Sequence, residues 1–415
     1  MLIKRINIIQ INSLLISLLP FFLILGPAIS DISIVIISIS GTYLILNYKK
    51  FYYFNNEYFK IFFLFWIYLL FCSFISDHKF FSLKSSFFYI RFGIFFVSLW
   101  FFIDHNENIF RNITYVFIIC FIALFVDSLF QFTFGQNIFG IPVSNISNAR
   151  ISSFFGDELI LGSYTSRMLP IILGILFFKN NLRNNLIITF LIAISTIIIF
   201  LSGERTALLY LFLTILFIFL LCTKFSKYIL PIIIISLVSL ILFSIISPKT
   251  TNRMLNQTFN QIFPGGENIR LFSTKHEALY KTSINIFKQN IFFGDGPKTF
   301  RINCKKEQYY VNNGCSSHPH NIYFQSLAEI GIIGFFAVLS FFVIILFKFI
   351  KQFISRFKSK PYMSNAEILF FIAIFISLFP FIPGPNFFTN WINVIYYFPI
   401  GFLLHINYKG KKYYA

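Results

Sequence analysis

Charge is what this chain has least of. Asp, Glu, Lys and Arg make up 12% of its 415 residues, roughly half the share of a soluble domain. Acidic residues are scarcest, 15 against 34 basic. No DxD-like cluster offers carboxylates to a divalent metal, and no HExxH or Cys/His spacing offers a zinc site. No GxGxxG, no Walker loop and no internal repeat occurs either. These absences exclude the common nucleotide-binding and zinc-hydrolase classes, and they predict a protein with no metal and no cofactor. The net charge of +19 does not indicate nucleic acid, because the basic residues are spread over loops without aromatic-basic clustering. In an apolar chain such charge encodes orientation and contact with anionic membrane lipid.

What is there is apolar: 57% of residues are hydrophobic and 63 are Phe. The Phe, Ile, Asn and Lys excess reads as the imprint of an AT-rich genome. Stretches of about 17–25 apolar residues, the length that crosses a bilayer, recur about twelve times. They lie near 8–29, 32–47, 59–76, 83–103, 113–134, 157–178, 184–201, 205–223, 228–247, 321–347, 365–383 and 387–406. The predicted fold is all-α and polytopic. Although Lys4 and Arg5 precede the first span, its apolar core is long and a second span follows at once, so it reads as an uncleaved helix.

One set of alternate short loops holds 18 Lys and Arg, from Lys4 and Arg5 to Lys409, Lys411 and Lys412. The opposite set holds four: Lys79, Lys84, Arg150 and Arg205. The positive-inside rule puts the first set, and with it both termini, in the cytoplasm. The chain then divides into nine spans over 1–247, a large external loop over 248–320, and three spans with a cytoplasmic tail over 321–415. The loop carries turn signals at Pro264–Gly266 and Gly294–Pro297, with an amphipathic helix expected within 268–292. Cys304 and Cys315 fall in it, as a disulfide or as two separate thiols. Cys72, Cys120 and Cys222 fall in spans and read as packing residues.

Polar groups inside spans are costly and mark sites or internal ties. Arg91, and Asp127 with Gln131, read as ties that order the bundle. Arg167 shares its half-helix with Gly162, Ser163, Tyr164, Thr165 and Ser166 and reads as functional. Ser202-Gly203-Glu204-Arg205 forms a tight outer turn. At the end of the external loop, His318 and His320 flank Pro319, and Asn321, Gln325 and Glu329 follow at helical spacing. That stripe must face protein or water, since lipid cannot satisfy it. Gly331 and Gly334 leave room for a neighbouring helix.

With these residues in place the chain resembles the O-antigen ligase and polymerase superfamily of membrane proteins. Arg205-Thr206-Ala207-Leu208 fits one family signature, an outer Arg with Leu three residues on. His320-Asn321, nine residues, then Gly331 and Gly334 fit the other. The resemblance covers about residues 60–405. A family loop arginine maps to Arg270, with Arg253 and Arg301 competing. The resemblance implies a GT-C-like architecture in the bacterial inner membrane and glycosyl transfer outside the cytoplasm, as in lipopolysaccharide biosynthesis. The donor it implies is an undecaprenyl diphosphate-linked glycan. The acceptor is lipid A core in a ligase, or a second lipid-linked glycan in an O-antigen or exopolysaccharide polymerase.

The residues read alone agree. A departing diphosphate needs fixed cations, which Arg205, Arg167 and Arg270 supply. The acceptor hydroxyl needs a base near neutral pH, and His320 is the natural one, with His318 auxiliary. In-line attack without a metal would invert the anomeric centre. A transporter, the rival class, would more often show repeated halves and interrupted helices near the midplane. A purely structural membrane protein leaves the outer Arg and His set unexplained.

Overall fold

The computed structural model describes residues 2–143, 150–178, 183–222, 226–263, 270–358 and 361–409. A helix stands at each of the twelve expected spans. These are α1 (Leu2–Leu25), α2 (Pro27–Asn47), α3 (Glu57–Ile75), the pair α4 (Lys79–Phe87) and α5 (Ile90–His105), and α6 (Asn108–Phe134). α7 (Leu161–Phe178), α8 (Arg183–Ser202), α9 (Arg205–Leu221) and α10 (Ser226–Ile246) follow. The segment over 248–320 holds α11 (Pro248–Thr251), a π-helical turn (Asn252–Asn256), α12 (Gln257–Ile262), α13 (Thr274–Gln289) and α14 (Phe300–Asn303). α15 (Ile322–Phe357), α16 (Asn365–Ser377) and α17 (Asn390–Lys409) close the chain. Among the described residues the one β-bridge pairs Gln136 with Pro142.

The chain is an all-helical, polytopic membrane protein. Among the described residues, seven stretches are long and apolar enough to cross a bilayer, or eight if the bent pair Ile233–Ile246 and Pro248–Ile262 is one span. That is fewer than the twelve read from sequence, and length is the main reason. α16 has 13 residues and rises about 20 Å, against a hydrocarbon core of about 30 Å. α17 is long enough but carries Asn390, Asn393 and His405.

Apolar burial drives helices together weakly in lipid, so polar ties carry much of the specificity. α5 packs between α2 and α17, and α7 packs on α8 and α16. Arg91 on α5 pairs with Asp31 on α2 at 2.9 Å, and Asn390 of α17 donates to the other Asp31 oxygen at 3.0 Å. Tyr89 donates to Asn393 at 2.8 Å, and Trp391 to the Leu23 carbonyl at 3.0 Å. Asp127 and Gln131 also tie, but as hydrogen bonds to a loop. Asp127 accepts from Ile138 N and Ser153 Oγ, and Gln131 accepts from the N–H groups of Ser152 and Ser153.

Within 248–320 α13 forms inside the expected 268–292, capped by Ser273 on the His276 N–H. Cys304 and Cys315 are disulfide-bonded, and the three remaining cysteines are buried. The Pro264–Gly266 turn lies outside the described residues. Gly294 and Gly296 both take positive φ, as the turn signal implies. α15 breaks at Gly331, whose φ is 65°. The neighbour that needs this glycine is a loop rather than a helix. A Cβ there would meet the Phe292 carbonyl oxygen, and Ile332 N donates to Ile291 O at 2.8 Å.

Candidate active site at the head of α15

His320 sits two residues before α15 with φ 58°, a left-handed conformation uncommon for a residue with a side chain. Neighbouring bonds fix it there. Its carbonyl accepts from Gly384 N at 2.7 Å. The next residue, Asn321, caps α15 by accepting from Tyr323 N and Phe324 N, and it donates to Pro380 O. His320 is half-buried, and among the described residues neither ring nitrogen has a hydrogen-bond partner.

Two histidine rings flank it. His318 lies 4.1 Å away between centroids and His276 of α13 lies 5.9 Å away. Both are tied: His318 to Ser317 Oγ and the Gly384 carbonyl, His276 to Ser273 Oγ. Burial lowers the His320 pKa to about 4, helped by the charges of His276 and Lys275. Burial, then His320, takes His318 to about 3. His276 is lowered by burial, then by Lys275 and Arg205. A neutral imidazole has one nitrogen free to accept a proton, and His320 is the ring of the three whose nitrogens are unengaged.

Arg205, through its charge on His276, leads to the second part of the site. It opens α9 and donates to Gln261 Oε1 at 2.7 Å and Thr258 Oγ1 at 3.3 Å on α12. Gly203 precedes it in the left-handed region, φ 64°. A Cβ on Gly203 would lie 3.4 Å from both Arg150 Cγ and Arg253 Cδ, so three arginines meet at this turn. Arg253 Nε donates to Gly203 O at 3.0 Å, and Arg150 Nη2 donates to Leu159 O at 3.1 Å. The nearby carboxylate, Glu204, is spent on the N-terminus of α7, accepting from Gly162 N and Ser163 N at 2.8 and 3.1 Å. Burial raises its pKa to about 7 against the pull of Arg150 and those N–H groups.

Arg167 lies behind this turn and is 1% exposed. It bonds Ser163 and Tyr210, and its Nε has no partner. Arg270 is exposed, and its backbone N–H donates to Ile262 O at 2.7 Å. The structure thus gathers Arg205, Arg253 and Arg150 at one turn, with Arg167 buried beneath it. Sequence reasoning set Arg253 only as a competitor of Arg270, counted Arg150 as loop charge, and did not single out His276. A turn flanked by arginines from distant segments has no local signature.

The stripe below His320 faces protein, as lipid exclusion requires. Glu329 is fully buried and accepts from Lys298 N at 2.9 Å and Phe300 N at 3.1 Å. Gln325 bridges Glu329 and Asn386 and accepts from Phe387 N. Asn321, Gln325 and Glu329 therefore clamp the 298–300 and 380–387 loops onto α15. Beside the arginine turn, a cavity of about 410 Å³ is lined by Phe132, Val143, Ile151, Ile246, Pro248 and Lys249 among others. It is mostly apolar and adjoins Arg150 through Ile151.

Residues 190–339 match the family described as O-Antigen ligase, Wzy_C. That stretch runs from α8 into α15 and contains Arg205, Arg253, His276, His318 and His320. The curated proteins gave no match.

Proposed function

We propose, since residues 190–339 match the O-antigen ligase family, that this protein transfers a glycan from undecaprenyl diphosphate to the sugar core of lipid A on the external face of the inner membrane. The observation that carries the reading is the His320 ring, half-buried, neutral and unengaged, beside a turn where three arginines face one occupied carboxylate. His320 accepts the proton of the acceptor hydroxyl. The acceptor oxygen bonds to the anomeric carbon as the bond from that carbon to the diphosphate oxygen breaks, and the bonding pair leaves with the diphosphate. The proton then passes from His320 to solvent. Arg205 and Arg253 hold the departing diphosphate, where a fixed bidentate cation is worth most; Arg150 and Arg270 are the further cations of this face. Arg167, under the turn, positions Ser163 and Tyr210. The apolar cavity beside Arg150 takes the first isoprene units of the lipid.

The transfer is metal-independent in this reading, because the nearby carboxylates Glu204 and Glu329 are each bound to two backbone N–H groups. It inverts the anomeric centre, because a single displacement is all the residues provide for. Purified protein tests the reading with donor lipid and lipid A core. His320→Ala is expected to abolish transfer at unchanged expression, and His318→Ala to reduce it less. Near-normal turnover in His320→Ala would remove the proposed base.

A further inference from the structure

Glu204 belongs to the arginine turn, yet among the described residues it forms no salt bridge with an arginine. It stands at the N-cap of α9, where side-chain oxygens commonly accept from the first N–H groups of the same helix. Its carboxylate makes no such bond. It reaches instead to another helix, and its two oxygens accept separately from Gly162 N at 2.8 Å and Ser163 N at 3.1 Å. These are the second and third residues of α7, whose N–H groups have no acceptor within their own helix. Glu204 is 8% exposed, so what it holds in the interior is backbone rather than a cation.

The turn approaches α7 closely at the same point. A Cβ on Gly162 would meet Ser202 Oγ, and it would lie 3.0 Å from Ala207 Cβ and 3.2 Å from Glu204 Cβ. Arg150 ties the two parts as well, with Nη2 on Leu159 O at 3.1 Å and Nε on Ser202 O at 3.5 Å. Both donor-side arginines depend on where this turn sits. Arg205 follows Glu204 directly, and Arg253 takes its bearing from Gly203 O, one residue before it, at 3.0 Å.

We infer that Glu204 is the positioning residue of the donor side: it docks the Gly203 turn on the first turn of α7 and so fixes where Arg205 and Arg253 meet the diphosphate. This rests on the reading in which those arginines hold the donor diphosphate. The sign of one effect separates docking from charge. As a charge alone Glu204 repels a diphosphate, and removing it would tighten binding. As a dock it keeps the cations in place, and removing it weakens binding although a repelling charge has gone.

The full-length protein in detergent tests this with inorganic pyrophosphate as probe, titrated calorimetrically. Burial raises the Glu204 pKa to about 7, so the titration is run near pH 9, where the carboxylate is ionised. Glu204→Gln is expected to weaken pyrophosphate binding about 10–100-fold, the worth of a hydrogen bond to a charged group. Gly162→Ala leaves every charge in place and should weaken it in the same direction, because the added Cβ pushes the turn off α7. In transfer assays both variants should raise the donor KM and leave the acceptor KM unchanged. A merely structural defect would instead lower the active fraction, and with it kcat, at an unchanged donor KM. Tighter or unchanged pyrophosphate binding in Glu204→Gln overturns the inference, as does unchanged binding in Gly162→Ala. If either variant does not fold, the other carries the test. Binding weakened in Arg205→Gln but kept in Glu204→Gln and Gly162→Ala removes only the positioning role. Wild-type binding that is absent, or that Arg205→Gln leaves unchanged, removes the donor reading and the positioning role with it.

Discussion

At the scale of single residues, His320 sets the pH behaviour. Its pKa is depressed to about 4, so the lone pair it needs is present above that value and lost as pH falls through it. kcat/KM, which reports the free enzyme, should therefore stay flat from about pH 6 to 8 and fall with an apparent pKa near 4. A bend near 6.5, the ordinary histidine value, would show that the ring is not desolvated. Replacing a general base typically costs about 10²–10⁴-fold in rate, the range expected for His320→Ala. Arg205→Ala should impair use of donor lipid with the protein still folded. Arg205→Lys should rescue only partly, because lysine keeps the charge and loses the fork; full rescue in a donor KM measurement would reduce the arginine to a point charge. His320 and Arg205 were legible in the sequence because each lies in a short signature with its own neighbours. Arg253, Arg150 and His276 were not, since what qualifies them is a turn or a ring contributed from another part of the chain.

At the scale of elements, the polar stripe on α15 was readable as protein-facing, but not as a clamp. Spacing puts Asn321, Gln325 and Glu329 on one face; it does not say that backbone N–H groups of Lys298, Phe300 and Phe387 occupy them. Gly331 shows the same limit. A small residue in a membrane helix suggests close helix packing, whereas here it takes φ 65° and admits the Phe292 carbonyl. Gly331→Ala adds a Cβ to a left-handed residue, which costs about 1–2 kcal/mol before any clash. The thermal midpoint of the detergent-solubilised protein should drop, and an unchanged midpoint would mean that the break is not enforced. The Cys304–Cys315 bridge closes an 11-residue separation. Cys304→Ser should destabilise the external segment by roughly 2–4 kcal/mol, read as faster hydrogen exchange in α13 and α14, and unaltered exchange would show that the bridge restrains nothing.

At the scale of the whole molecule, the twelve apolar stretches each became a helix because an apolar backbone in lipid must satisfy its own hydrogen bonds. Their number as full spans was less legible, since α9 and α16 are short and α10 bends into the α11–α12 segment by 111°. The loop charges predict that residues 248–320 lie outside. A cysteine introduced at the exposed Lys275 of α13 should react with an impermeant thiol reagent added externally, and labelling from the cytoplasm alone would invert the topology. Every part of the account then meets in one reaction. Purified wild-type protein should be given an undecaprenyl diphosphate-linked glycan and lipid A core, and the lipid and sugar products quantified together. Glycan joined to acceptor in the same amount as free undecaprenyl diphosphate released is the result the account predicts. Donor lipid that stays intact, or crosses a bilayer unchanged when the protein is reconstituted, would contradict it.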